Sequence, residues 1–232
     1  KKITLKREIK TTADGSKTIF IDELQEGYHS HNGALQEAEH VFIKNGINKV
    51  KNYEINILEL GFGTGLNALV TINEFLKNDK NHIINYFTLE KYPVTEDEIN
   101  ELNYVKHFNF ENSEKIYHQI HTLEWNKTHE ILSNFTFTKF QCDFFELENL
   151  NLPLINLVYY DCFGAKIQPD LWEKPLFEMV RNKMSTGGLL TTYSSKGSVR
   201  RILKELNFEV TKLEGPKGKR EMINAVLLNE GS

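Results

Sequence analysis

One stretch of sequence decides the fold: Ile55-Asn56-Ile57-Leu58-Glu59-Leu60-Gly61-Phe62-Gly63-Thr64-Gly65-Leu66-Asn67. Its first half is a short apolar run that is typical of a buried strand, and residues 66–72 continue with the apolar spacing of a helix. The glycines between them permit a tight turn at the carboxyl end of the strand, where the backbone can approach a ligand closely. The stretch therefore predicts a strand, a glycine loop and a helix that open a ligand-binding βαβ unit.

Downstream of this unit, the apolar pattern predicts the rest of an α/β sheet. Mainly helical segments, including residues 99–135 and 171–184, separate four strand-like runs: residues 83–89, 135–140, 155–160 and 189–194. Residues 208–213 and 222–228 flank a short loop and predict an antiparallel hairpin. By fold-level analogy, an antiparallel last strand is typical of Rossmann-like methyltransferases, whereas nicotinamide-binding domains usually continue through helical crossovers. We therefore expect a mostly parallel, seven-stranded sheet.

The first fifty residues predict an extension that precedes this sheet. Residues 3–9 and 17–22 are prone to form strands around the turn sequence Ala13-Asp14-Gly15-Ser16, which predicts a hairpin. Apolar residues then recur at helical spacing from Gly33 to Ile43. We expect residues 1–50 to be an N-terminal extension and residues 51–232 to be the main domain, the two forming one structural unit.

The composition indicates a globular protein with a full core. The 232 residues are 40% hydrophobic and 26% charged, and the formal net charge is −4. This charge argues against broad electrostatic capture of nucleic acid, so any RNA contact must be local. Basic residues cluster between Lys196 and Lys204 and between Lys212 and Arg220, a pattern that a solvated helix face and loop explain equally well.

The sequence shows no pattern of a disulfide framework, a metal site or a membrane segment. Cys142 and Cys162 form neither a disulfide framework nor a metal-ligand spacing, and His29 and His31 lack a third ligand, so no metal is expected. There is no apolar run of about 18 residues and no signal-like start. We expect a cytoplasmic protein without a membrane partner.

Acidic residues at strand ends indicate the kind of ligand. Glu59 lies two positions before Gly61, which suits a cationic amino-acid ligand better than a pyrophosphate, and S-adenosylmethionine meets this requirement. Glu90 ends the second strand, where a carboxylate accepts ribose hydroxyls. Asp143 follows the third strand and is placed for the adenine amine, although an acid there is also a common turn or cap residue. The predicted cofactor residues are Glu59, Gly61, Gly63, Gly65, Asn67, Glu90 and Asp143.

Four segments share a resemblance to one enzyme family. They are Tyr28-His29-Ser30 with Gly33-Ala34 and Glu37, the stretch from Leu60 to Asn67, the segment Asp161-Cys162-Phe163-Gly164-Ala165-Lys166-Ile167-Gln168-Pro169-Asp170-Leu171-Trp172, and Gly218-Lys219-Arg220-Glu221-Met222. Together they resemble the methyltransferases of the MnmC/MnmD type, and the resemblance spans most of the chain. Cys162 departs from the pattern, which leads us to expect alanine, so its thiol is not expected to be essential.

The resemblance implies a Rossmann-like class I fold, S-adenosylmethionine as cofactor, and methylation of 5-aminomethyl-2-thiouridine at the tRNA wobble position. It implies Asp161, at the end of the fourth strand, as the catalytic residue that positions the amine. It implies substrate contacts from residues near the mouth of the site: Tyr28, Ser30, Glu37, Phe163, Lys219 and Arg220. It also implies the tRNA anticodon region as partner, coupling to upstream wobble-uridine modification enzymes, and the form without an oxidase domain.

Other functions stay open at this point. A small-molecule amine methyltransferase, or an aminopropyltransferase of the spermidine-synthase kind, would use a similar glycine loop and an acid beside the transferred group. Both would turn over without RNA. A non-catalytic RNA-binding module would instead require a degraded cofactor loop, whereas the loop and the three downstream acids are intact here.

Overall fold

The N-terminal residues form a small antiparallel sheet. The computed structural model describes residues 6–78 and 82–229, and its first strands are β1 (Arg7–Thr11), β2 (Lys17–Ile21) and β3 (Glu26–Gly27). β1 and β2 form the predicted hairpin, of which residues 3–5 lie outside the described residues. The Asp14 carboxylate closes the turn by accepting from Ser16 N at 3.0 Å and also from Gln36 N at 2.9 Å. The turn is therefore tied to the helix that follows.

That helix, α1 (Ala34–Ala38), continues as a π-helical segment, Glu39–Lys44. Together they span the amphipathic segment that was predicted from Gly33 to Ile43. The buried side chains Ala38, Val41 and Phe42 face the main core, where the hydroxyl of Thr191 donates to the Val41 carbonyl at 3.1 Å. The N-terminal extension thus packs directly on the central sheet.

Within the described residues, the central sheet has eight strands. In chain order they are β4 (Glu54–Leu60), β5 (Ile83–Leu89), β6 (Thr128–Leu132), β7 (Phe135–Phe140), β8 (Ile155–Tyr160), β9 (Met184–Thr192), β10 (Phe208–Glu214) and β11 (Glu221–Leu227). Their spatial order is β10-β11-β9-β8-β4-β5-β7-β6. The five strands from β9 to β7 are parallel, and β11 is antiparallel to both of its neighbours. The predicted fold class is therefore confirmed.

Among the described residues, five further α-helices follow α1, and two hydrophobic clusters pack on the two faces of this sheet. The α-helices are α2 (Leu66–Lys77), α3 (Glu96–Leu102), α4 (Ser113–Thr122), α5 (Lys174–Lys183) and α6 (Gly197–Glu205). Along β4, Ile55 and Ile57 enter one cluster, whereas Leu58 and Leu60 enter the other. This alternation is what a strand buried on both faces requires.

The structure corrects the sequence-based description at three places. The segment 99–135, predicted to be mainly helical, contains the edge strand β6, which pairs antiparallel with β7 and raises the strand number from seven to eight. Only Ile131 is buried in β6, so the alternating apolar pattern of a strand is weak there. The helix predicted over 171–184 is divided into a 3-10 turn, Pro169–Trp172, and α5. β9 begins at Met184, before the predicted residue 189.

No helix in the two described ranges is long and apolar enough to cross a membrane.

Candidate active site

A cavity of about 950 Å³ opens where the parallel strands end. Its wall includes the backbone from Gly61 to Thr64 and side chains from four strand ends or the helix that follows them: Asn67, Glu90, Asp143 and Asp161. The carboxyl ends of the strands, at the point where the strand order reverses, are where open α/β sheets bind ligands. The volume suits a small-molecule cofactor with part of a second substrate.

The glycine loop forms part of this wall and packs closely against its neighbours. Gly61 has φ +102°, and a Cβ placed there would lie 2.9 Å from the carbonyl oxygen of Asp161. Gly63 has φ +50°, and a Cβ placed there would lie 3.1 Å from the Tyr28 ring. Both positions combine a left-handed backbone with close packing, so only glycine fits without strain. Gly65 starts α2 and lies against His121 of α4.

We expect Gly61→Ala to lower the free energy of unfolding by about 1–3 kcal/mol, because a side chain would be strained by the backbone and would push into Asp161. Gly187→Ala is the matched control, since Gly187 has φ +77° but open space around its Cβ position. Urea denaturation of both variants measures the difference. Equal losses for the two variants would contradict the close contact.

Glu90 holds the glycine loop from the end of β5. Its Oε2 accepts from Gly63 N at 2.9 Å, and its Oε1 accepts from Tyr92 N at 2.7 Å. A carboxylate has about four acceptor positions, so lone pairs stay free on the cavity side. This placement suits the ribose contact predicted for Glu90.

Asp143 is both a cap and a cavity residue. Its Oδ1 accepts from Phe145 N at 3.0 Å at the start of a 3-10 helix, and its Oδ2 accepts from Lys91 Nζ at 2.7 Å. Burial works to raise the pKa of Asp143, but the hydrogen bonds from Lys91 and Phe145 outweigh it, so the pKa is lowered. Asp143 is therefore charged at neutral pH, and its contact with adenine stays a prediction.

Asp161 lies on the cavity wall after β8. Its Oδ2 accepts from Asn67 Nδ2 at 2.8 Å. Burial raises the pKa of Asp161 to about 7, against the lowering effect of the Asn67 hydrogen bond. The following loop is fixed by Tyr193, whose hydroxyl donates to the Cys162 carbonyl at 2.8 Å, and by Trp172, whose indole donates to the Phe163 carbonyl at 2.7 Å. The carboxyl group is thus held on a rigid segment.

A partly buried ion pair acts electrostatically on Asp161. Lys219 Nζ lies 2.6 Å from Glu37 Oε2 and 3.8 Å from the centre of the Tyr193 ring. Glu37 Oε1 also accepts from Ser30 N at 3.1 Å. The negative charge on Glu37 raises the pKa of Asp161, whereas the positive charge on Lys219 lowers it. The structure therefore brings together the predicted substrate residues Ser30, Glu37 and Lys219. Arg220 follows Lys219 in the loop between β10 and β11 and is exposed.

The N-terminal extension supplies the other side of the cavity. Tyr28 and Phe163 both line it and meet edge to face, with ring centres 5.0 Å apart. Arg7 donates to the Tyr92 carbonyl at 3.0 Å and forms a 3.3 Å ion pair with Glu98. Arg7 and Lys91 also line the cavity, and sequence reasoning missed both because single basic residues give no signal of their partners.

Glu59 lies behind the glycine loop. Its side chain is fully buried, and its Oε2 accepts from the Thr88 hydroxyl at 2.7 Å. Burial, with a smaller contribution from charge on Asp161, raises the pKa of Glu59 to about 8 against the lowering effect of the hydrogen bond from Thr88. The predicted direct contact between Glu59 and the cofactor stays a prediction.

This buried acid makes stability depend on pH. The folded protein keeps a proton on Glu59 up to about pH 8, whereas the unfolded chain loses it near its ordinary pKa of 4.5. The free energy of unfolding therefore falls as pH rises through this window, by at most about 1.4 kcal/mol per pH unit from this group, and levels off above it. We expect Glu59→Gln to lack this component, so the variant gains stability relative to the parent from pH 5 to pH 8. Urea unfolding at several pH values tests this, and a difference that is independent of pH would contradict it.

Within residues 6–78 and 82–229, no group of three or more His, Cys, Asp or Glu side chains is placed to hold a metal ion.

The sheet order, the antiparallel β11 and the acid-lined cavity beyond the glycine loop define the class of Rossmann-like methyltransferases. Residues 109–228, slightly more than half of the chain, match the model of a family described as S-adenosyl-L-methionine-dependent methyltransferase. The chain belongs to this family.

Curated relatives cover most of this chain. The tRNA 5-methylaminomethyl-2-thiouridine biosynthesis bifunctional protein MnmC of Pseudoalteromonas atlantica is 29% identical over 96% of this chain and 34% of its own length. The protein of the same name from Leptospira interrogans is 27% identical over 89% of this chain and 33% of its own length. The chain thus spans about a third of the length of these relatives.

The crystal structure of MNMC2 from Aquifex aeolicus shares the fold. It superposes with a TM-score of 0.78 at 22% identity, covering 97% of this chain and 71% of that one.

Proposed function

We propose that this protein transfers a methyl group from S-adenosylmethionine to the amine of 5-aminomethyl-(2-thio)uridine at the tRNA wobble position, giving the 5-methylaminomethyl form. The observation that carries this proposal is the Asp161 carboxyl group, which lies on the cavity wall beside the glycine loop and is held there by Asn67. An acid at this place suits an amine substrate. The names of the MnmC relatives supply the substrate class.

The residues of the cavity fit the cofactor. Gly61 and Gly63 line the cavity without a side chain, which permits close approach of a ligand to the backbone, and the free lone pairs of Glu90 suit two ribose hydroxyls. Asp143 lies on the same wall, where we assign it to the adenine amine. When bound, S-adenosylmethionine supplies an electrophilic methyl group on a sulfonium sulfur and leaves as the thioether.

Asp161 meets the acid-base requirement of the substrate. An alkylamine has a pKa of about 10.4, so near neutral pH it is protonated and has no free lone pair. Asp161 holds the ammonium group by charge pairing and orients its nitrogen. The proton then passes to Asp161 or to water. A carboxyl group whose pKa is raised to about 7 accepts a proton more readily than an ordinary aspartate.

Recognition of the nucleotide is assigned to the mouth of the cavity. The Tyr28 and Phe163 rings line the wall and offer apolar faces to a splayed base. Beside them, the Glu37–Lys219 pair joins α1 to the loop of the C-terminal hairpin. Exposed basic side chains on this loop, on α6 and at the N-cap of α6 suit local contacts to phosphates: Lys196, Arg201, Lys204, Lys217 and Arg220.

The substrate also implies an order of reactions. The uridine must already carry an aminomethyl group, so enzymes that install this amine act first.

We further propose that residues 1–50 and 51–232 act as one structural unit, which is supported by the Arg7–Glu98 and Lys219–Glu37 ion pairs across that boundary.

Transfer of a labelled methyl group to different acceptors tests the proposal. The acceptors are tRNA with 5-aminomethyluridine at the wobble position, the same tRNA unmodified, and free polyamines. We expect label only in the aminomethylated tRNA. Label in polyamines without RNA would instead indicate a small-molecule amine methyltransferase, and aminopropylation of an amine by decarboxylated S-adenosylmethionine would indicate the spermidine-synthase kind.

A further inference from the structure

A buried polar cluster lies directly behind the cavity wall. It contains Glu59 at the end of β4, Asn67 in the first turn of α2, and Asp161 after β8. Asn67 Nδ2 donates to Asp161 Oδ2 at 2.8 Å, and the Asn67 side chain also lies beside the Glu59 carboxyl group. One amide therefore stands between two carboxyl groups, of which Asp161 faces the cavity and Glu59 is fully buried.

Two atoms of this cluster and the hydroxyl of the neighbouring Tyr86 are unsatisfied. Glu59 Oε1, Asn67 Oδ1 and the Tyr86 hydroxyl are buried and have no hydrogen-bond partner among the described residues. An unmade hydrogen bond of this kind costs about 1–3 kcal/mol. Glu59 Oε1 and Asn67 Oδ1 are both acceptors when Glu59 is charged, so neither satisfies the other. The Tyr86 hydroxyl, which faces Glu59, is a single donor and can satisfy only one of them. A proton on Glu59 Oε1 turns that atom into a donor, while Oε2 keeps its bond from Thr88.

We propose that Glu59 is a positioning residue for the methyl transfer: in its protonated form it donates to Asn67 Oδ1 and so fixes the Asn67 amide with Nδ2 directed at Asp161. Asn67 then holds the Asp161 carboxyl group in the orientation that meets the substrate amine. The inference rests on the proposed function, because it assigns Glu59 a role in amine transfer rather than in direct contact with the cofactor.

The surroundings favour the protonated form. Glu59 is faced by Thr88 and Tyr86 from β5, Tyr159 from β8, Asn67 from α2, and Asp161, none of which carries a positive charge. Farther away, Asp161 is faced by Glu37 and Lys219, and these two are already paired with each other. Burial without a cation raises the pKa of Glu59 to about 8. Lys219 is paired with Glu37 and therefore does not neutralise Glu59.

The two roles for Glu59 differ in what they require. Direct contact with a cationic cofactor group requires a charged carboxylate, and its loss weakens cofactor binding. The positioning role requires a neutral hydrogen-bond donor, which the glutamine amide also provides. Glu59→Gln therefore separates the two roles, and Glu59→Ala removes both.

Steady-state kinetics and cofactor binding form the first test. We expect Glu59→Gln to keep kcat and the Kd for S-adenosylhomocysteine within about threefold, and Glu59→Ala to lower kcat by about 10–100-fold with the Kd changed less than threefold. The ratio of the Gln variant's kcat to that of the parent should rise above about pH 8, where Glu59 loses its proton. The substrate amine titrates equally in both reactions, so its effect cancels in this ratio of kcat values. A purely structural role for Glu59 would leave the ratio independent of pH.

Thr138→Val in β7 is the matched control for a buried polar deletion, since the Thr138 side chain hydrogen-bonds the Thr128 hydroxyl in β6, and it should change kcat by less than about twofold. A loss of more than tenfold in cofactor affinity in Glu59→Gln, or an unchanged kcat in Glu59→Ala, would overturn the inference.

Infrared spectroscopy supplies a readout that needs neither substrate nor cofactor. The parent at pH 7 should show the carbonyl band of a protonated carboxyl group with a component that Glu59→Gln lacks. The component left in Glu59→Gln belongs to Asp161, whose pKa is also raised to about 7. A parent spectrum identical to that of Glu59→Gln in this region would overturn the inference, even if Glu59→Ala failed to fold. The spectrum is recorded without tRNA. If the parent protein methylates no tRNA, the proposed function is refuted, and the spectrum still decides whether Glu59 is protonated.

Discussion

Asp161→Asn is expected to lower kcat for methyl transfer by about 10³-fold and to leave the fold intact. Asparagine has the shape of aspartate and still accepts from Asn67 Nδ2 through its side-chain oxygen. It cannot pair with the substrate ammonium or take its proton. Cofactor affinity should stay within about threefold, because Asp161 is assigned to the substrate amine. Single-turnover transfer of a labelled methyl group, together with calorimetric binding of S-adenosylhomocysteine, measures both quantities.

Asp170→Asn is the control for Asp161→Asn. Asp170 is exposed in the 3-10 turn that follows the same loop, so its neutralisation should change kcat by less than twofold. An Asp161→Asn variant that kept more than about a tenth of the parent kcat would remove Asp161 from the chemistry.

Glu90→Ala is expected to raise the Kd for S-adenosylmethionine by about 10–150-fold, which corresponds to the loss of about 1.5–3 kcal/mol from hydrogen bonds to a charged group. The variant loses the proposed acceptor for the ribose hydroxyls. It also releases Gly63 N and Tyr92 N, which the carboxylate holds at 2.9 and 2.7 Å, so the glycine loop should lose order. Isothermal titration calorimetry measures the change in Kd.

Glu96→Ala removes an exposed acid at the start of α3 and controls for the change in net charge. It should leave the Kd for S-adenosylmethionine within about twofold. A Glu90→Ala variant that bound the cofactor as tightly as Glu96→Ala would place the ribose elsewhere.

The fold was predictable because its central strands are buried on both faces. Apolar runs such as residues 157–160 of β8 give a strong signal, and the loop between the last two strands indicated the antiparallel β11. The edge strand β6 was missed because it buries only Ile131 and therefore lacks an apolar pattern. The sequence did contain one local signal, Asn134, whose φ of +67° forms the turn into β7.

The candidate site was only partly predictable. Acids at strand ends could be placed on one edge of the sheet, since the carboxyl ends of parallel strands meet there. Contacts between distant segments could not be derived this way: Glu37 and Lys219 are 182 positions apart, and Arg7 reaches the loop after β5. The burial of Glu59 could have been predicted, because strand alternation places it on the same face as Ile55 and Ile57.

Mass spectrometry of nucleosides from reacted tRNA tests the central claim most directly. The protein is incubated with S-adenosylmethionine and tRNA that carries 5-aminomethyl-2-thiouridine at the wobble position, and the tRNA is then digested to nucleosides. We expect this nucleoside to be replaced by one that is heavier by a single methylene group, with the added methyl on the side-chain nitrogen. In the reaction with Asp161→Asn, the aminomethyl nucleoside should stay unmethylated over the same time. An unchanged aminomethyl nucleoside, or a methyl group found on a base or ribose atom, would contradict the account.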